Sequence, residues 1–170
     1  MASGASKSAA FLVMALNILI YFIIIVIASW AMNHAIEHTH EAASSLRIPA
    51  QIFPIFFPMG NMATGFFIIL SLVTSVVGFM TSLTGLSHVV LGTSANLHAA
   101  SSSAIITWLL TLLSLGLACK EIDIGWSGSN LRALEVLTII ASGTQLICVG
   151  AIHAGLEEDA ARHRIAGGRV

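Results

Sequence analysis

The chain has 170 residues, a formal net charge of -1, 56% hydrophobic residues and only 9% charged ones. A soluble domain carries about 25% charged residues, yet the 72 positions between Arg47 and Lys120 contain no Asp, Glu, Lys or Arg. That gap excludes a water-soluble globular enzyme, and the absence of any basic run speaks against nucleic acid as a partner.

A short polar start containing Lys7 leads into an uncharged run over 9–32, rich in Leu, Ile and Val. As a helix this run spans about 36 Å, enough for the ~30 Å hydrocarbon core. It is too long for the apolar region of a signal peptide, and Trp30 is placed as an interfacial anchor. The run reads as a retained transmembrane helix. The polar stretch that follows contains His34, Glu37, His38, His40 and Glu41. The spacing of His34, Glu37 and His38 spells H-x-x-E-H, an inverted zinc-protease pattern. A zinc enzyme also needs a third ligand and a shielded cleft, for which a small membrane bundle has little room. The favoured reading is a solvated extension of the first helix, with no metal.

All three prolines, Pro49, Pro54 and Pro58, fall in the segment 48–58. Repeated proline forbids a regular helix, and bare irregular backbone cannot face lipid. This segment belongs at the membrane surface or against other helices. A second uncharged span follows over 59–83, then a connection over 84–96 carrying Gly85, His88 and Gly92. The third span, 97–119, stops at Lys120, Glu121 and Asp123. Gly125, Trp126 and Gly128 mark a turn, and Ser129 or Asn130 is placed to cap the fourth span, 131–154. A charged tail, 155–170, completes the chain as a short helix or an unstructured end. The expectation is a single domain, an all-α integral membrane four-helix bundle with short loops.

Four spans put both termini on one side. Lys7, Arg162, Arg164 and Arg169 lie there; Arg47, Lys120 and Arg132 lie on the other. The four-to-three balance favours cytoplasmic termini and a cytoplasmic tail. Cys119 and Cys148 are too few for a disulfide scaffold and read as reduced thiols.

Small and hydroxyl residues mark helix contacts in lipid because they let backbones approach. Ser71, Ser75, Gly78, Ser82 and Gly85 recur at spacings of 4, 3, 4 and 3, one stripe of a helix. Ser103, Thr107, Thr111, Ser114 and Ala118 repeat the rhythm in the third span. Asn17, Tyr21, Ile24 and Ala28 do so in the first, and Glu135, Thr138, Ser142 and Gln145 in the fourth. Four such faces can converge on one axis, either as packing or as a polar-lined path.

Several stretches carry a family resemblance. They include Leu16-Asn17 with Tyr21 and Ala28-Ser29-Trp30-Ala31, and the run Asn61 to Phe67. Trp108 to Leu113 leads to the Ala-Cys-Lys-Glu-Ile motif at 118–122. Leu134-Glu135-Val136-Leu137-Thr138, the Thr-Gln-Leu segment at 144–146 and Ile152-His153 complete the set. Together, from about Leu16 to His153, they resemble the AWPM-19-like (PM19-like) family of plant plasma-membrane proteins. The resemblance implies a multi-pass plasma-membrane protein, induced by abscisic acid, drought, cold or seed maturation. It also implies a role in abscisic acid import and no enzymatic activity or cofactor.

The polar residues within the spans bear on that role. Glu135 lies about 7 Å inside the fourth helix, as an interfacial partner of Arg132 or Lys120 or as a gate. Gln145 and Asn17 sit nearer the middle, where a free amide is costly, and each should bond to another helix. His153 ends the fourth span at the terminal side. On the transport reading, Arg132, Lys120 and Trp126 recruit an anion at the outer mouth, Glu135 gates it, and Asn17, Tyr21 and Gln145 line the route. The alternative is a non-transporting protein that stabilises the bilayer or scaffolds a partner during dehydration and cold. Partners beyond the lipid bilayer and abscisic acid, and the oligomeric state, are not legible in the residues.

Overall fold

A chain surrounded by lipid must satisfy its backbone N–H and C=O groups internally, and an α-helix does so within one segment. The computed structural model describes residues 2–45, 62–91, 94–125 and 128–167, with the side chains of most of them. They form α1 (Ala2–Ser45), α2 (Met62–Leu91), α3 (Ser94–Ile124) and α4 (Ser129–Gly167). Each holds an apolar stretch long enough to cross a bilayer: Ser8–Glu37, Ala63–Leu91, Ala95–Ile124 and Ser129–Ala161. The proline segment 48–58, Trp126, and the side chains of Lys7, His38, His40, Glu41, Arg162 and Arg169 lie outside the described residues.

The helices run further than the uncharged spans do. Helix α1 continues through the polar stretch to Ser45. There Asn33 donates to Glu37 at 2.8 Å, and His34 stacks on Trp30 with ring centroids 5.1 Å apart. Much of the expected connection over 84–96 is helical, because α2 continues to Leu91. Gly85 is a contact residue here and not a break: a Cβ on it would come within 3.0 Å of Met14 Cε. The tail is helical to Gly167.

Helix α1 packs against α2 and α4, and α3 packs against the same two, closing a four-membered ring. Tyr21 lies against Gly78 and Met14 against Gly85. Ser71 meets Ser114 and Thr81 meets Thr107. As the number rises on one helix it falls on its neighbour, so adjacent helices are antiparallel. The ends of α1 and α4 nearest the two termini therefore share one end of the bundle. The α1–α2 and α3–α4 connections lie at the other, here called the loop end.

The interior is more polar than the exterior. The stripes read from the sequence are buried, apart from the half-buried Ser103. Leu12, Leu19, Val73, Ile106 and Ile147 instead stand outside with at least half their surface free. Such an apolar exterior suits a hydrocarbon solvent, in which apolar contact gives helices no driving force to associate and small and polar residues take that part. Many hydroxyls also bond to their own helix: Ser75 to the Leu72 carbonyl, Thr107 to Ser103, Thr138 to Leu134 and Thr144 to Ile140.

The turn between α3 and α4 is set by glycine. Gly125 has φ of 76°, a conformation that costs other residues strain. Its N–H reaches the Glu121 and Ile122 carbonyls, both at 3.2 Å, and closes α3. At the start of α4 the Gly128 carbonyl accepts from the Arg132 N–H at 3.0 Å. Gly128 thus takes the cap position expected of Ser129 or Asn130; glycine is among the residues that fit there. Cys119 is exposed, Cys148 is buried, and both are free thiols.

Candidate functional site

The polar groups on the bundle axis fall into layers, each built by stripe positions of two or three helices. The middle layer joins α1, α3 and α4. Asn17 Nδ2 donates to Gln145 Oε1 at 2.9 Å, and the Tyr21 hydroxyl donates to the same oxygen at 3.2 Å. Gln145 Nε2 donates to the Ala104 carbonyl at 3.2 Å. Asn17 is 0% exposed and Gln145 2%. Asn17 Oδ1 has no hydrogen-bond partner. Sequence reasoning placed Asn17, Tyr21 and Gln145 on one route, and the fold brings all three into contact.

Between α2 and α3 runs a seam of hydroxyls. Thr81 and Thr107 lie 2.7 Å apart, Ser71 and Ser114 2.9 Å apart, and Thr74 donates to the Leu110 carbonyl at 3.4 Å. Tyr21, Ser71, Thr74, Thr111, Ser114 and Thr138 surround a cavity of about 10 Å³. This is at the lower limit of what a single water needs.

At the loop end, Glu121 is 0% exposed and Glu135 6%. Thr64 donates to Glu121 Oε1 at 2.6 Å. Glu121 Oε2 and Glu135 Oε1 are buried without a hydrogen-bond partner. Glu121 and Arg132 both act electrostatically on Glu135. At the terminal end, Ser101 Oγ lies 3.2 Å from His153 Nε2, whose ring also meets the Val149 carbonyl at 2.9 Å.

The expected outer charge cluster needs one correction. Lys120 does not join Glu135. It points outward and binds Asp123 at 2.9 Å, with side chains 59% and 74% exposed. The i,i+3 spacing sets both on the solvated face of α3. Arg132 is also exposed and leaves the buried Glu135 oxygen unbonded. The residue that reasoning from the sequence missed is Glu121, together with Thr64. A signal for Glu121 exists: Ser114, Ala118 and Glu121 continue the 4, 3 rhythm of the α3 stripe. Among the described residues, no group of three or more His, Cys, Asp or Glu side chains is placed to hold a metal ion.

Comparison with known proteins places these features in a wider set. The family model described as the AWPM-19-like family matches residues 15–155, a stretch that contains every axis residue named above. The rice (Oryza sativa subsp. japonica) protein described as Membrane protein PM19L is 39% identical over 144 residues. The match covers 83% of this chain and 75% of the rice protein. No solved structure matches.

Proposed function

The chain belongs to the AWPM-19-like family, and on that premise we propose that it facilitates import of abscisic acid, a small amphipathic weak acid, across the plasma membrane. The hormone enters the proposal through the family resemblance; the residues supply the chemistry. The observation that carries the reading is the buried polar axis, above all Glu121 and Glu135. Small apolar residues would pack four helices together without them. Ionisable groups held inside a membrane bundle are expensive and mark substrate or ion pathways.

In this reading the termini are cytoplasmic and the loop end faces outward. Exposed Arg132 attracts the carboxylate of the incoming acid, with Trp126 as a further candidate for that recruitment and Lys120 a weaker charge because Asp123 already binds it. Glu135 stands behind Arg132 as the gate. The acid crosses more cheaply once protonated, and Asn17, Tyr21 and Gln145 offer it donors and acceptors along the route. A 10 Å³ cavity does not admit such a molecule, so passage requires the helices to part. The α2–α3 seam is the place to open. Its hydroxyl pairs are worth about 0.6 kcal/mol each.

The close packing of the axis supports a second reading, a non-transporting protein that stabilises the bilayer or scaffolds a partner in dehydration and cold. Uptake of labelled abscisic acid by purified protein in liposomes, against empty liposomes, separates the two. Uptake above the empty control supports transport; equal uptake by both overturns it. Labelling of a cysteine placed in the tail by an impermeant reagent on intact cells would reverse the orientation.

A further inference from the structure

Glu121 and Glu135 reach the loop end of the axis from adjacent antiparallel helices, and both are more than nine-tenths buried. Two carboxylates in such a place need donors. Thr64 supplies one, to Glu121 Oε1 at 2.6 Å. Glu121 Oε2 and Glu135 Oε1, one oxygen from each, are buried with no partner. Two ionised carboxylates acting on each other away from water carry both a desolvation cost and mutual repulsion.

Among the described residues, the charged groups around them do not remove that cost. On α4, Arg132 acts on Glu135 but is exposed and leaves Oε1 unbonded. On α3, Lys120 is bound to Asp123 on the outer surface. Helix α2 contributes the Thr64 hydroxyl; its one titratable side chain, His88, is near the opposite end. Helix α1 carries His34, stacked on Trp30, and Glu37, bonded to Asn33.

We propose that Glu121 and Glu135 form a proton-binding site that holds one proton between them. A proton taken from water at the loop end forms an O–H bond on one carboxyl oxygen. It removes one of the two negative charges and turns one oxygen from an acceptor into a donor. The second carboxylate stays ionised, with Arg132 as its nearby positive charge. A metal cation is a poorer fit, because no third acidic, histidine or cysteine ligand joins the pair among the described residues. Loss of the proton restores both charges and drives the loop ends of α3 and α4 apart. Nothing here depends on which substrate, if any, the protein moves.

Infrared difference spectroscopy on the protein in vesicles tests the site without measuring transport. The wild type is expected to show a carboxyl C=O band that shifts in D2O, persists above about pH 6, where ordinary exposed carboxyls are already ionised, and disappears at higher pH. Glu121→Gln and Glu135→Gln each remove the like charge beside the remaining carboxyl. In Glu121→Gln the proton affinity of Glu135 should fall about tenfold, and the double variant should lose the band. Retained helical circular dichroism checks that the variants fold; if the double variant does not fold, the Glu121→Gln midpoint decides. Absence of the band in the wild type, its survival in the folded double variant, or an unchanged midpoint in Glu121→Gln overturns the proposal. So does a wild-type melting temperature that follows sodium or potassium, exchanged for a bulky organic cation, but not pH.

Discussion

The middle and the loop end of the axis contain the same kind of defect with different consequences. In the middle, Asn17 Oδ1 is a buried acceptor without a donor, but it is neutral. Such an orphan costs about 1–3 kcal/mol, and the three hydrogen bonds around Gln145 offset it. At the loop end the orphaned oxygens are carboxylate oxygens, and among the described residues Thr64 is the one hydroxyl that donates to either carboxylate. A neutral orphan is a local defect that a bundle can carry; a charged one invites a ligand. The middle layer thus fastens α1 to α4, while the loop-end layer is chemically unfinished.

The largest expected effect comes from breaking the middle layer sterically. A Cβ on Gly78 would sit 2.5 Å from the Tyr21 ring, so Gly78→Leu must displace the ring that donates to Gln145. Overpacking alone costs about 1–3 kcal/mol, and the lost hydrogen bond adds to it. A clear fall in thermal stability in detergent and in lipid is expected; an unchanged melting temperature would refute the contact. Gln145→Leu comes next. It strands the Asn17 amide and the Tyr21 hydroxyl and should cost about 2 kcal/mol. Adding Asn17→Leu should cost less than the sum of the two single changes in a double-mutant cycle.

Glu135→Gln sharpens the contrast because its sign is opposite. Replacing a buried charge by a neutral group of the same shape should leave stability at neutral pH unchanged or raise it by about 1 kcal/mol, read by thermal melting. If the pair gates uptake, this variant also flattens the pH dependence of uptake, whereas Arg132→Gln raises the half-saturation concentration. The smallest effect is at the hydroxyl seam. Ser71→Ala should cost about 0.6 kcal/mol, measured by unfolding in lipid, with helical content unchanged.

Much of this architecture is legible in the residues themselves. The 3- and 4-residue spacing of Ser71, Ser75, Gly78 and Ser82 is enough to name the buried face of α2, because in lipid the small and polar positions are the inward ones. Asn17 and Gln145 announce their need for partners by their depth. Glycine is what misleads over 84–96. Gly85 falls both in the expected connection and at the end of the α2 stripe; the structure sides with the stripe and packs Gly85 against Met14 of α1. Glu121 is hidden for a related reason. Beside Lys120 and Asp123 it looks like part of a solvated helix end. Only the fold shows those two paired on the outside while Glu121 turns inward to Thr64. The number of helices is a property of hydropathy along the chain; which carboxylate is buried depends on the relative rotation of four helices.

The hydroxyls that bond to carbonyls of their own helix bear on how the protein is made. Thr107, Thr138 and Thr144 enter the membrane with their donors already satisfied, so each helix can be inserted without waiting for a neighbour. Asn17 is different. Its amide donates to Gln145, on α4, which emerges after α1 during synthesis. A nascent chain therefore holds α1 in the bilayer with an unanswered amide until α4 arrives. The ring of four helices cannot close before α4 is in place, and a chain cut short before α4 carries a polar handle in lipid by which quality control can recognise it.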